Sequence, residues 1–111
     1  MTTCYQISTT CDSEDEANRL AATLVEERLA ACVQVSGPLQ SVYRWEGAVS
    51  KAVEWLCTAK TVEQRLPALL ARVRALHSYQ QPELIATLIS SADPDYVDWL
   101  QRETTPNPEP R

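Results

Sequence analysis

Two amphipathic helical segments separated by a long strand-like stretch constrain the fold of this chain most. In the first, a capping box of Ser13 and Glu16 precedes apolar residues that recur at helical spacing, and we expect the helix to end near Leu29. The second follows another capping pattern at 61–64 and has the same periodicity. Residues 31–60 between them alternate as strands do. Each helix therefore needs a sheet to cover its apolar face.

Four strand-like runs supply that sheet. Residues 3–10 form the first, and the Gly-Pro pair at 37–38 interrupts the second with a bulge or bend. Gly47 provides the turn that joins the second strand to a third, which we expect to end at Lys60. The short apolar run 84–89 is the fourth strand. The second and third strands form a hairpin long enough to project beyond a small domain.

The resulting order, β-α-β-β-α-β, predicts an α+β fold of the ferredoxin-like class, because two right-handed crossovers around a hairpin give the split βαβ arrangement. Both helices then cover one face of a four-stranded antiparallel sheet whose spatial order is 4-1-3-2. An extra C-terminal helix begins at Asp93, an N-cap that Pro94 follows. We assign residues 1–103 to a single domain and residues 104–111, which hold three prolines, to a flexible tail.

The charge and composition of the chain exclude several classes of function. The net charge of −5 argues against binding to nucleic acid or to an anionic membrane surface, both of which select basic faces. No apolar run is long enough to span a bilayer, and the first residues lack the basic and apolar regions of a signal peptide. We therefore expect a cytoplasmic protein. Its four cysteines form no Cys-x-x-Cys pair and are expected to be free thiols.

Residues 77–83, the 77–83 loop, form the stretch that is densest in groups able to bind a metal or a small ligand. The predicted topology places this loop beside the end of the first strand, residues 9–11, and the start of the first helix. Cys32 begins the second strand at the far end of the subunit, so it reaches His77 only from a neighbouring chain. The sheet face away from the helices also carries apolar residues, and we expect another copy of the chain to cover it.

Three residues are candidate metal ligands. His77 offers a neutral imidazole nitrogen, although a helix C-terminus alone also favours a histidine. Glu83 suits a hard or borderline cation, or is an ordinary surface or interface carboxylate. Cys32 offers a thiolate suited to Cu(I), or packs as a buried small side chain. No obligatory cofactor is expected, and any Cu(II), Cu(I) or Zn(II) ion would bind weakly, because a high-affinity site needs three or four converging ligands.

Three further residues are candidates for contact with a small ligand. Tyr79 and Tyr96 are amphipathic and can line a cleft, although interface packing is the simpler role for both. Lys60 can meet an anion or a carboxylate in a cleft between subunits, or is simply solvated. The only glycines are Gly37 and Gly47, so the chain has no glycine-rich phosphate loop.

Six short motifs carry a family resemblance. They are ERLAACV (27–33), SVYRWEG (41–47), KT (60–61), HSY (77–79), PE (82–83) and DYVDW (95–99). In order and spacing, over residues 3–102, they resemble the CutA divalent-cation tolerance family. The resemblance implies a tight homotrimer of ferredoxin-like subunits, similar to the PII signalling proteins, which bind small ligands in clefts between subunits. It also implies a link to tolerance of copper and other divalent metals.

Two positions depart from the pattern of that family. Ser78 replaces the proline of its His-Pro-Tyr motif, which makes the start of the 77–83 loop less rigid. Thr9 replaces a cysteine that is tied to copper in some bacterial members. Cys11, two residues later, lies in the predicted turn, so copper ligation does not carry over to it directly.

Two functions follow from the residues and the resemblance together. The first is a homotrimeric divalent-cation tolerance protein that binds copper or a similar metal weakly near the 77–83 loop, at a cleft between subunits. The alternative is a PII-like regulator or scaffold that binds a small metabolite or a protein partner there. We expect no enzymatic activity, because His77 and Glu83 can exchange protons but no motif places a nucleophile.

Overall fold

The computed structural model describes residues 2–106, and its helices and strands follow the predicted order. The strands are β1 (Cys4–Cys11), β2 (Cys32–Trp45), β3 (Ala48–Val62) and β4 (Ile85–Ile89). The helices are α1 (Glu14–Glu26), α2 (Leu66–Leu76) and α3 (Pro94–Thr104), and a 3-10 turn (Glu63–Arg65) precedes α2. Across residues 2–106, no helix has the length and apolar character needed to cross a membrane.

A single antiparallel sheet contains the four strands in the order β2-β3-β1-β4, which confirms the predicted ferredoxin-like topology. β1 pairs with β3 from Cys4, opposite Val62, to Cys11, opposite Trp55. β4 pairs along the other edge of β1. Because β3 continues to Val62, Lys60 lies inside the strand, and the predicted strand end at this residue is wrong.

The main core lies between the sheet and the two helices α1 and α2. Leu24 of α1 and Leu69 and Val73 of α2 are almost fully buried against Ile7 and other residues of the same sheet face. Full burial of one such side chain contributes about 1.5–3 kcal/mol. Both helices therefore cover one face of the sheet, as the helical periodicity predicts.

α3 packs on the opposite face of the sheet. Leu100 is fully buried beside Cys4 and Val62, whose side chains alternate along their strands with those of the main core. The helix begins as predicted, because the Asp93 carboxylate accepts the Tyr96 backbone N–H at 3.3 Å. α3 therefore covers one end of a sheet face that is otherwise free of helices in residues 2–106.

α3 extends to Thr104. Thr104 is buried, and its hydroxyl donates to the Leu100 carbonyl at 2.7 Å, so this residue continues the helix. Of the predicted tail, residues 107–111 lie outside the described residues.

Two other boundaries differ from the predictions for local reasons. α1 ends short of Leu29 because Arg28 has a φ of 58°, which breaks the helical path. The predicted cap at 61–64 is wrong, since Thr61 is buried and its hydroxyl donates to the Leu29 carbonyl at 2.7 Å. α2 therefore starts only after the 3-10 turn.

The hairpin of β2 and β3 is bulged where the Gly-Pro pair predicts, between Ser36 and Leu39. Gly37 has a φ of +151° and lies against the indole ring of Trp55. A Cβ atom at Gly37 would stand 2.6 Å from Trp55 Cδ1, closer than real Cβ atoms approach. This glycine is therefore required by a close approach between the strand and the ring.

We expect Gly37→Ala to lower the free energy of unfolding by about 1–3 kcal/mol, because the added methyl group forces the Trp55 ring or the backbone to move. Urea unfolding followed by circular dichroism measures the loss. The matched control is Gly47→Ala in the same hairpin, which shares the backbone strain of a positive φ (+81°) but has no atom within 4 Å of the added Cβ. A loss for Gly47→Ala as large as that for Gly37→Ala would contradict the steric explanation.

Candidate functional site

The 77–83 loop is fixed to the end of β1 through His77. The imidazole Nε2 donates to the Thr10 carbonyl at 2.9 Å, and Nδ1 accepts the Tyr79 backbone N–H at 3.1 Å. Together these contacts select the tautomer that carries its proton on Nε2. The His77 backbone N–H also closes the last turn of α2 on the Val73 carbonyl. The predicted proximity of the loop and the strand end is therefore confirmed.

Three dissimilar side chains meet at the start of α1. The ligand atoms of Cys11, Glu16 and His77 all lie within 4.8 Å of one another, and we call these residues the helix-start cluster. Glu16 completes only half of the predicted capping box, because its backbone N–H donates to the Ser13 hydroxyl at 3.1 Å. Its carboxylate instead accepts the Ser78 backbone N–H at 3.2 Å. α1 and the 77–83 loop are therefore joined through this glutamate.

The thiol of Cys11 is the most deeply buried member of the helix-start cluster. It lies in the same core cluster as Cys57, whose Sγ donates to the Ala17 carbonyl at 3.5 Å. The Cys57 thiol, burial and the nearby Glu16 carboxylate raise the pKa of the Cys11 thiol. Cys11 therefore carries a proton that a metal ion has to displace. It is the last residue of β1 and not a turn residue, so that prediction is wrong.

A second site lies between the 77–83 loop and the hairpin, around a cavity of about 530 Å³ that we call the loop–hairpin cleft. The Tyr79 hydroxyl donates to Glu54 Oε2 at 2.7 Å, and Glu54 is only 7% exposed. Burial and then the Glu54 carboxylate raise the pKa of Tyr79, so its phenol stays protonated and able to donate. The cleft is lined by Thr10, Ser41, Val42, Tyr43, Trp45, Glu54, Tyr79, Gln80, Gln81 and Glu83.

The predicted metal ligands do not meet within one chain. Glu83 lines the loop–hairpin cleft, whereas His77 belongs to the helix-start cluster. Cys32 pairs with Lys60, four residues along β3 from the partner of Thr10, which corresponds to about 13 Å of strand. One chain therefore offers two separate groups of candidate ligands near the loop and a thiol at the far end of the sheet.

Two of the three predicted small-ligand contacts also lie at that far end. Lys60 donates to the side-chain oxygen of Gln34 at 2.6 Å. Tyr96 lies on α3 with its ring centroid 5.6 Å from that of Trp99, and burial and then the Cys32 thiol raise the pKa of its phenol. Only Tyr79 lines the loop–hairpin cleft of its own chain.

Two acidic residues of these sites are not predicted by any sequence motif. The capping box accounts for Glu16, and no motif includes Glu54. Glu54 is nonetheless the only charged residue in the run 52–59, which otherwise reads as a half-buried strand. A carboxylate inside such a strand is tolerated only with a partner. The position of Glu54 therefore could have identified it as a site residue from the sequence.

Apolar side chains remain exposed along the outer part of the hairpin. Val49 is 62% exposed and Val53 is 55% exposed, and Trp45 is 48% exposed on the adjacent strand. The strand register places Val42, Val49 and Val53 on one face of the hairpin and Tyr43 and Trp45 on the other, and we call these five residues together the hairpin surface. Large exposed apolar patches are typical of protein–protein contact surfaces.

The family model and the bacterial relatives in the comparison with known proteins point to the same protein family. The family model described as "CutA1 divalent ion tolerance protein" matches residues 5–103. The "Divalent-cation tolerance protein CutA" of Thermus thermophilus is 45% identical over 95 residues, which cover 86% of this chain and 92% of that protein. The protein of the same name from Pectobacterium atrosepticum is 36% identical over 99 residues, covering 87% and 90%.

Eukaryotic relatives are longer than this chain. "Protein CutA 1, chloroplastic" of Oryza sativa subsp. japonica is 40% identical over 95 residues, but these cover 54% of that protein and 86% of this chain. The chain therefore spans about half the length of this relative and nearly all of the bacterial ones.

Solved structures share the fold. The divalent cation tolerance protein (Cut A1) of Thermus thermophilus superimposes with a TM-score of 0.89 at 42% identity, covering 92% of this chain and 99% of that one. CutA of Xylella fastidiosa superimposes with the same TM-score at 36% identity, covering 92% and 98%.

Proposed function

The chain belongs to the CutA1 divalent ion tolerance protein family, and from that premise we propose that it supports tolerance of copper and similar divalent cations by binding them weakly. One observation carries this proposal: Glu54 and Glu83 both line the loop–hairpin cleft, and the Tyr79 phenol donates to Glu54 there. Oxygen ligands and an open site suit a weak divalent site, since tight sites need three or four fixed ligands.

We propose that the protein acts as a homotrimer. The hairpin surface is apolar and uncovered in one chain, and β2 and β4 leave free sheet edges. A neighbouring subunit on this surface would close the loop–hairpin cleft and place its own residues there. In such an assembly Cys32 of one chain and His77 and Glu83 of another would contribute to metal binding, as the sequence predicts.

A binding role in the cytoplasm remains our prediction for the whole protein. The two bacterial relatives described above are named for divalent-cation tolerance, which is a binding or protective role. We therefore propose that the bound cation is cargo or signal and that no bond is made or broken on it.

We expect Glu83→Gln to weaken binding of Cu(II) about tenfold or more, because an amide keeps the shape of the carboxylate but removes its charge. Isothermal titration of the purified protein with Cu(II) measures the dissociation constant. The matched control is Glu26→Gln, which makes the same change at an exposed residue at the end of α1. Equal affinities in the wild type and Glu83→Gln would remove Glu83 from the site.

The alternative function is that of a PII-like regulator or scaffold, and the size of the cleft favours it. A volume of about 530 Å³ falls within the range of small-molecule sites, and Tyr43, Trp45 and Tyr79 line it. Lys60 and Tyr96 would contact the ligand only from a neighbouring subunit. A thermal-shift screen with small metabolites tests this function, and an unchanged melting temperature throughout would count against it.

A further inference from the structure

We propose that the helix-start cluster is a second metal site, lying within one chain, in which Cys11, Glu16 and His77 bind a zinc-class divalent ion. It differs in its ligands Cys11 and Glu16 from the intersubunit site proposed above, with which it shares only His77, and it needs no neighbouring subunit. The inference rests on the proposed function only in that both concern divalent cations near the 77–83 loop.

The composition of the cluster carries the first part of the inference. A thiol, an imidazole and a carboxylate are the three protein ligand types of zinc, and each supplies one atom within 4.8 Å of the others. Zn–ligand bonds of about 2.0–2.3 Å require these atoms to draw together by roughly 1 Å. A thiolate with an imidazole selects zinc or copper over magnesium and calcium, which prefer oxygen ligands alone.

An unsatisfied carboxylate oxygen is the second, independent observation. Glu16 Oε1 is buried and has no hydrogen-bond partner among the described residues, whereas Oε2 accepts the Ser78 backbone N–H. A buried charged oxygen without a partner is costly, and natural proteins rarely leave one. A cation bound by the helix-start cluster would satisfy this atom.

The setting of His77 also suits metal ligation. Metal-binding imidazoles usually donate their other ring N–H to a carbonyl or carboxylate, which fixes the ring and its tautomer. The Nε2 donation to the Thr10 carbonyl already has this form. Ligation through Nδ1 keeps that bond and exchanges only the 3.1 Å contact from the Tyr79 backbone N–H.

An ion can reach the helix-start cluster from solvent. Glu16 and His77 are partly exposed, so an ion can enter past them, while Cys11 closes the inner side. Cys57 is not part of the cluster, because its Sγ donates to the Ala17 carbonyl at 3.5 Å, so the cluster offers three protein ligands. Ordinary zinc sites of this kind have three or four protein ligands, a number that these residues supply.

Cobalt(II) tests the proposal, because a cobalt–thiolate bond gives a charge-transfer absorption in the near ultraviolet that a carboxylate site lacks. We expect the wild-type protein to develop this band up to one Co(II) per chain and to lose it when Zn(II) is added. Cys11→Ser should abolish the band. Cys4→Ser, the matched control at the other end of β1, should leave it unchanged, because Cys4 is buried like Cys11 but belongs to neither proposed metal site. Absence of the band in the wild type, or its persistence in Cys11→Ser, would overturn the site.

A second variant protects the test against misfolding, since Cys11 is buried. Glu16→Gln changes a partly exposed side chain and should weaken Zn(II) binding about tenfold while circular dichroism stays unchanged. Unchanged affinity in a folded Glu16→Gln protein would also overturn the site.

The two metal sites fail separately. Glu83→Gln should leave the cobalt band intact, because Glu83 is not part of the helix-start cluster. No cobalt band together with weaker Cu(II) binding by Glu83→Gln would overturn the helix-start site alone. A normal cobalt band with unchanged Cu(II) binding by Glu83→Gln would overturn the cleft site alone.

Discussion

Replacing Val53 by aspartate is expected to convert the native particle from a trimer to single chains. Val53 belongs to the hairpin surface and is 55% exposed in one chain. In the proposed trimer each copy would bury a carboxylate against apolar residues, and desolvating an unpaired charge costs several kcal/mol per site. Light scattering coupled to size-exclusion chromatography measures the particle mass.

Val25→Asp is the matched control for this prediction. It introduces the same charge in place of a valine that is 41% exposed, but on the outer side of α1. We expect this variant to keep the wild-type mass. A Val53→Asp protein that stays trimeric, or a Val25→Asp protein that dissociates as readily, would show that the hairpin surface is not the interface.

The second large effect is expected for Leu100→Ala, which should lower the free energy of unfolding by about 2–5 kcal/mol. Leu100 is fully buried and fixes α3 to the sheet beside Cys4 and Val62. Its removal leaves a cavity under a helix that has few other buried residues. Urea unfolding at a fixed protein concentration measures the change, because dissociation of subunits would add a concentration dependence.

Leu76→Ala controls for helix propensity, since both leucines lie in helices and receive the same substitution. Leu76 is 40% exposed, so we expect a loss within about 1 kcal/mol. Similar losses at the two positions would mean that α3 is not held by burial of Leu100.

Much of the fold follows from periodicity and chirality. The helical spacing and the short turn at Gly47 give the order of elements, and the handedness of the crossovers then fixes the strand order. Boundaries were less predictable because they depend on tertiary contacts. The hydroxyl of Thr61 is bound to the Leu29 carbonyl across the core, and no local pattern distinguishes that role from a cap.

The sites were predictable in place but not in composition. The topology alone brings the 77–83 loop to the end of β1, where His77 meets Thr10. It does not reveal that the Glu16 side chain turns from the capping box to Ser78. Nor does spacing show that Tyr79 is the partner of Glu54, because the two are distant in sequence and meet only through the sheet.

The exposed hairpin surface explains why a single chain leaves the cleft open. Apolar alternation along β2 and β3 indicates that something covers these residues, but the pattern of one chain does not identify the partner. The family supplies the expectation of a trimer, and the exposed valines supply the physical reason for it.

Native mass spectrometry of the protein after equilibration with Zn(II) tests the account most directly, because one spectrum counts both chains and metal ions. We predict a particle of three chains that carries at least one zinc ion per chain, and loss of one ion per chain in Cys11→Ser. A particle of another size, or a trimer whose zinc content is the same in the wild type and Cys11→Ser, would contradict it.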